Sequence, residues 1–92
     1  MLTDALKSLN GPVLITGHTG FKGSWLSLLL NHLGIEHFGY SLEAEEDSLY
    51  RRVNLESMSK GVVGDIRDLE NLSKVIKDVR PSVVIHLAAQ SL

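Results

Sequence analysis

The stretch Thr16-Gly17-His18-Thr19-Gly20-Phe21-Lys22-Gly23 carries glycines at three-residue intervals, and the chemistry of this sequence begins there. Glycine at 17 permits a tight turn. Glycine at 20 removes the side chain where backbone must approach a ligand, and glycine at 23 lets a helix lie close on its support. Amides left open in the first turn of that helix, those of about Phe21 and Lys22, lie at the positive end of the helix dipole, worth roughly half an elementary charge. The matching ligand is an anion, and a loop of this kind between a strand and a helix selects a diphosphate. A nucleoside triphosphate loop ends in Gly-Lys-Ser/Thr, whereas here the order is Lys22-Gly23-Ser24. A dinucleotide, NAD or NADP, is therefore the expected ligand.

The elements that must position this loop follow from apolar spacing. Pro12 to Thr16 reads as a short buried strand. Phe21, Trp25, Leu28, Leu29 and Leu33 recur at helical spacing and predict a helix over 21–33 with Trp25 packed on the sheet; Gly34 follows as a left-handed stop. Ile35 to Leu42 is a second strand, leading through the acidic Glu43 to Asp47 stretch into a short helix near Leu49 to Val53. Gly61 to Gly64 is a third strand. Asp68 caps a helix whose apolar residues are Leu69, Leu72, Val75, Ile76 and Val79, and Pro81 ends it. Val83 to Leu87 supplies a fourth strand, with Ala88 to Gln90 opening a loop.

This alternation demands a parallel α/β sheet of Rossmann type with flanking helices and strand order 3-2-1-4. The fourth strand would be left as an open edge. Residues 1–92 thus read as the N-terminal part of a longer dinucleotide-binding domain, with cofactor recognition but no chemistry of its own.

Composition narrows the function further. A net charge of -2 with 22% charged residues provides no basic field for a nucleic acid or an anionic membrane. The absence of cysteine removes disulfide scaffolds and thiolate metal sites, and no apolar run approaches the roughly 20 residues of a membrane span. A cytoplasmic location is expected.

The pattern TGxxGxxG, with Gly64-Asp65-Ile66-Arg67-Asp68 and Val84-Ile85-His86-Leu87-Ala88-Ala89-Gln90, resembles the extended short-chain dehydrogenase/reductase superfamily over nearly the whole chain. More narrowly, GHTGFKGSWL at 17–26, GYSL at 39–42 and GDIRD at 64–68 are similar to its sugar-nucleotide 4,6-dehydratases, those acting on CDP-glucose in particular; most relatives carry isoleucine at Lys22. The resemblance implies hydride transfer through NAD(P), loss of water across C5 and C6, a nucleotide-sugar substrate, and a homodimer for the full-length protein. It implies cofactor contacts from Gly17, Thr19, Gly20, Phe21, Lys22, Gly23 and Ser41. It adds Asp65 and Ile66 at the adenine edge, and Leu87, Ala88 and Ala89 along the ribose and adenine side. The superfamily's tyrosine-x-x-x-lysine pair is not found at Tyr40 or Tyr50, so no catalytic residue and no metal ligand is named. A related epimerase or reductase, or a non-catalytic dinucleotide sensor, would share these contacts.

Other residues divide between chemistry and structure. Ser41 stands where NAD sites often place an acid, with Glu43 just beyond, and Arg51 or Arg52 could meet a 2′-phosphate if the acidic stretch folds back. NAD and NADP both remain open, with the resemblance leaning to NAD. Asp65 suits a cap as well as an adenine contact. His86 reads as a hydrogen-bonded core group, His18 as a solvent-facing loop side chain, and His32 and His37 lack metal-ligand spacing.

Overall fold

The computed structural model describes residues 10–88. Four strands, β1 (Val13–Thr16), β2 (His37–Ser41), β3 (Lys60–Val63) and β4 (Val83–His86), form one sheet in the order β3-β2-β1-β4. Every pairing is parallel, with Thr16 opposite both Tyr40 and His86 and Ser41 opposite Val63. The connections run through helices α1 (Phe21–His32), α2 (Leu49–Arg52) and α3 (Leu69–Val79), with a single 3-10 turn at Leu55–Ser57. Right-handed crossovers put α1 and α2 on one face and α3 on the other. This is the expected Rossmann-type order, and the strand ends fall within one or two residues of those read from the sequence.

Local chemistry explains the boundaries. Helix α1 stops at Leu33 because Gly34 takes φ 71°, and the Ile35 amide turns back to the Leu30 carbonyl at 2.9 Å. Asp68 caps α3 by accepting from the Asn71 amide at 3.1 Å. Arg80, held before Pro81, leaves the helix in the left-handed region at φ 51°.

The core lies between β1 and α1. Val13, Ile15, Leu30 and Ile35 are buried together, with Leu26, Leu33, Ile85 and Leu87 packed around them. Each full burial of this kind contributes roughly 1.5–3 kcal/mol.

Of the stripe predicted to pack, Leu33 lies against the core and Leu28 is half-buried, but Phe21, Trp25 and Leu29 face outward. Phe21, Trp25 and Leu29 are 70%, 56% and 53% exposed, while Gly23, Ser24, Ser27 and Leu30 face inward. Trp25 does not pack on the sheet; it meets Phe21 edge-on on the outer surface, ring centroids 6.5 Å apart. The cause is distance: a Cβ on Gly23 would stand 2.1 Å from the Gly17 carbonyl oxygen and 2.7 Å from the His18 Cα. Only a face of small residues can approach a turn that closely, so the helix rotates its bulky stripe outward. The α3 stripe is likewise only half covered; Leu72, Val75 and Val79 are half-buried and Leu69 and Ile76 exposed, α3 being the one helix on that face of the sheet among the described residues. The edge strands are less buried than their composition suggests, with β3 exposed throughout and β4 alternating.

The contact under Gly23 is backbone against backbone and cannot relax by rotating a side chain. Gly23→Ala is expected to lower unfolding stability by about 3 kcal/mol or more, read as the urea midpoint of the full-length chain. A change within about 0.5 kcal/mol, typical of surface substitutions, would contradict this packing.

Candidate functional site

A cleft of about 760 Å³ opens at the C-terminal ends of the strands, where ligands of open α/β sheets bind, and its volume suits a small-molecule ligand. Of the residues singled out from the sequence, Gly17, Thr19, Gly20, Phe21, Ser41, Asp65, Ile66, Leu87 and Ala88 all line it. Gly23 lies beneath the loop, against Gly17, and Lys22 does not line the cleft. Ala89 lies outside the described residues.

The loop is built by its glycines. Gly17 turns off β1 at φ 82°, and a Cβ there would come within 2.7 Å of the Ala88 amide nitrogen. A Cβ on Gly20 would meet only the Gly17 carbonyl oxygen, at 3.4 Å, so the missing side chain leaves room on the cleft side without being needed for packing. Gly20 is also the N-cap of α1, and no side chain caps that helix or places an acid in its first turn. The Ser24 amide is bonded to the Gly20 carbonyl at 2.8 Å, which leaves the preceding amides at the helix start for an outside anion.

His18 does not face solvent as its loop position suggests. It is 4% exposed, its ring lying where Cβ atoms on Gly39 and Gly61 would stand at 2.1 Å and 2.8 Å, and Tyr50 closes the slot edge-on at 5.5 Å. Its Nδ1 has no partner among the described residues. Burial, with the charge of His37 adding to it, pushes its pKa down to about 4, so the ring is neutral at ordinary pH. The signal available in the sequence was the pair of glycines inside β2 and β3, which make room for a side chain arriving from elsewhere.

The wall beside β2 is polar and acidic. Thr19 Oγ1 donates to the Leu42 carbonyl at 2.9 Å, leaving the Ser41 hydroxyl to donate to Thr19 at 2.8 Å. Glu43, Glu45 and Asp47 follow along the same wall. The segment does fold back, but its arginines are already engaged. Arg51 reaches Glu43 at 3.5 Å, Glu56 at 3.8 Å and the Ala44 carbonyl at 3.0 Å, and Arg52 pairs with Asp47 at 2.7 Å.

At the opposite end stands Asp65. It does not cap α3, which is the work of Asp68; instead its carboxylate accepts from the Arg67 amide at 2.9 Å and from the Arg67 guanidinium. Those bonds to Arg67 hold its pKa down at about 2, so it is ionised and only accepts. Arg67 and Gly64 line the cleft and were not anticipated. An Asp two residues before an Arg gives a local turn, but only the fold shows that the turn borders the ligand space. His86 is hydrogen-bonded, Nδ1 to Thr16 Oγ1 at 2.6 Å, yet it is exposed and not a core group, because β4 ends the sheet formed by the described residues. Among the described residues, no group of three or more His, Cys, Asp or Glu is placed to hold a metal ion, and no helix is long and apolar enough to cross a membrane.

The family model for GDP-mannose 4,6 dehydratase matches residues 14–92. Over 81 residues the chain is 48% identical to CDP-glucose 4,6-dehydratase of Salmonella typhimurium, covering 87% of this chain and 23% of that protein. It is 34% identical over 85 residues to GDP-mannose 4,6-dehydratase of Vibrio cholerae, covering 85% and 23%. Among solved structures, UDP-glucose 4-epimerase from Brucella ovis in complex with NAD superposes with a TM-score of 0.71 at 27% identity, over 89% of this chain and 24% of that one. The chain spans about a quarter of the length of these relatives.

The buried imidazole makes stability depend on pH. The unfolded chain protonates His18 near 6.5 and the folded chain near 4, so the unfolded state binds more protons in between and stability falls as pH is lowered through that window. The loss is expected to reach roughly 3 kcal/mol by pH 4. Denaturation of the full-length chain at a series of pH values should show this slope, and a His18→Phe variant should flatten it. An unchanged slope in the variant would place the titration elsewhere.

Proposed function

The chain belongs to the GDP-mannose 4,6 dehydratase family, and from that membership and the form of its cleft we propose that it is the dinucleotide-binding part of a sugar-nucleotide 4,6-dehydratase. The observation that carries the reading is the uncapped start of α1 over a glycine whose missing side chain opens onto the cleft. A nicotinamide dinucleotide, when bound, supplies the hydride acceptance and return that such a dehydration requires. The residues present fit that group. The amide of Phe21, with that of Lys22 in the same helical turn behind it, would hold the diphosphate, Ser41 the adenosine ribose, Asp65 and Ile66 the adenine, and Leu87 and Ala88 the wall behind it. The proposed substrate is CDP-glucose, supported by the 48% identity to the Salmonella enzyme. A cytoplasmic protein that dimerises at full length completes the proposal.

The acidic wall favours NAD over NADP. A 2′-phosphate would enter beside Glu43, Glu45 and Asp47, and the nearby guanidinium groups of Arg51 and Arg52 are already paired with carboxylates. Like charges repel, and the exposed carboxylates of this wall would oppose a 2′-phosphate by a modest, salt-dependent amount. No tyrosine of the sequence has a lysine four positions on, so this chain's proposed part is binding and orientation. A second reading, a nucleotide-sugar epimerase, is favoured by the 0.71 superposition and would use the same cleft.

Calorimetry of the full-length chain should give NAD a Kd at least about tenfold below that of NADP, one such charge contact being worth about 1.4 kcal/mol. Gly20→Val should abolish the binding while leaving the unfolding midpoint nearly unchanged, because its side chain would project into the cleft and not into the core. Retained binding in that variant would sink the loop assignment. Incubation with NAD and CDP-glucose should yield the 4-keto-6-deoxy product, and a 4-epimer from a nucleotide sugar would move the assignment to the second reading.

A further inference from the structure

Tyr40 is wholly buried, yet it lies outside the cluster of Val13, Ile15, Leu30 and Ile35 and belongs to no catalytic pair. Its ring lies against Gly64, where a Cβ would come within 2.4 Å of it. Its hydroxyl donates to the Asp65 carbonyl at 2.9 Å and accepts from the Asn71 side-chain amide at 3.1 Å. Three separate elements, β2, the turn after β3, and α3, therefore meet on one oxygen. The next residue, Ser41, points to the opposite face of the strand and is bonded to Thr19 of the glycine loop at 2.8 Å. Two consecutive residues at the end of β2 thus gauge both walls of the cleft, Ser41 the loop and Tyr40 the Asp65 turn.

We propose that Tyr40 is a positioning residue that sets which base the cleft accepts, acting through Asp65. This rests on the dinucleotide reading given above. The hydroxyl holds the Asp65 backbone, and the bonds from the Arg67 amide and guanidinium to the Asp65 carboxylate then fix the side chain on that backbone. A carboxylate held at one place offers only acceptor oxygens. It pairs with a purine bearing a 6-amino group and is repelled by a 6-oxo group, and such discrimination is lost when the acceptor wanders. Asn71 supports the arrangement by satisfying the hydroxyl's remaining capacity from α3.

The test compares NAD with nicotinamide hypoxanthine dinucleotide, in which the 6-amino group becomes a 6-oxo group and N1 gains a proton, by calorimetry on the full-length chain. Wild type is expected to prefer NAD. Tyr40→Phe, which keeps the ring against Gly64 and removes only the hydroxyl, should weaken NAD binding about fivefold, as for one lost hydrogen bond, and draw the preference between the two dinucleotides toward unity. Asn71→Ala should shift the preference the same way by less, and it decides the matter if Tyr40→Phe does not fold. Equal loss for both dinucleotides, or an unchanged preference in the variants, would reduce Tyr40 to a packing residue and overturn the inference. Wild type that binds both equally would instead remove Asp65 as the base contact, and wild type that binds neither would remove the dinucleotide reading itself.

Discussion

Helix α1 rests on the turn that precedes it with nothing but backbone between them, and the rest of the structure is arranged around that contact. Gly23 touches the Gly17 carbonyl region at a distance no side chain could share. So close an approach turns the small residues Ser24 and Ser27 inward and carries Phe21, Trp25 and Leu29 to the outside. It also aims the start of the helix at the strand ends, so its unpaired amides border the cleft. Packing and binding are therefore one constraint: the helix that covers the core is held where its dipole can act on a ligand.

A second constraint comes from His18. A loop designed only to present backbone would need no large side chain at this position, yet the imidazole fills the slot left by Gly39 and Gly61 and reaches Tyr50. The glycine loop is thereby tied to β2, to β3 and to the short helix at the acidic wall. The interaction depends on a neutral ring, because an unpaired charge in that slot would lack compensation. A binding loop at a surface is usually among the more mobile parts of a fold; here an internal side chain restrains it.

The cleft is electrically divided. Its centre faces the positive end of α1, while the wall beyond Ser41 carries carboxylates and the far end the Asp65–Arg67 ion pair. Such a division matches a ligand with charge at its middle and hydroxyl or amino groups toward one end. The surface ion pairs along the acidic wall add little to stability, as exposed pairs generally do, but they occupy arginines that would otherwise alter the field.

The glycine spacing, the alternation of strand and helix, the Asp68 cap and the Gly34 and Pro81 stops were all legible in the sequence. Each is a local rule acting on neighbours, and together they were enough for the parallel order 3-2-1-4 and for the glycine loop, while Asp65, Ile66, Leu87 and Ala88 were reached through the family resemblance. Rotation of α1, burial of His18, exposure of His86 and the meeting of Tyr40, Asp65 and Asn71 were decided by the tertiary structure. Phe21, Trp25 and Leu29 have helical spacing as good as that of the inner face, and spacing cannot say which face a neighbour will accept. That choice lies in the room left between backbones far apart in sequence, and only the assembled sheet defines it.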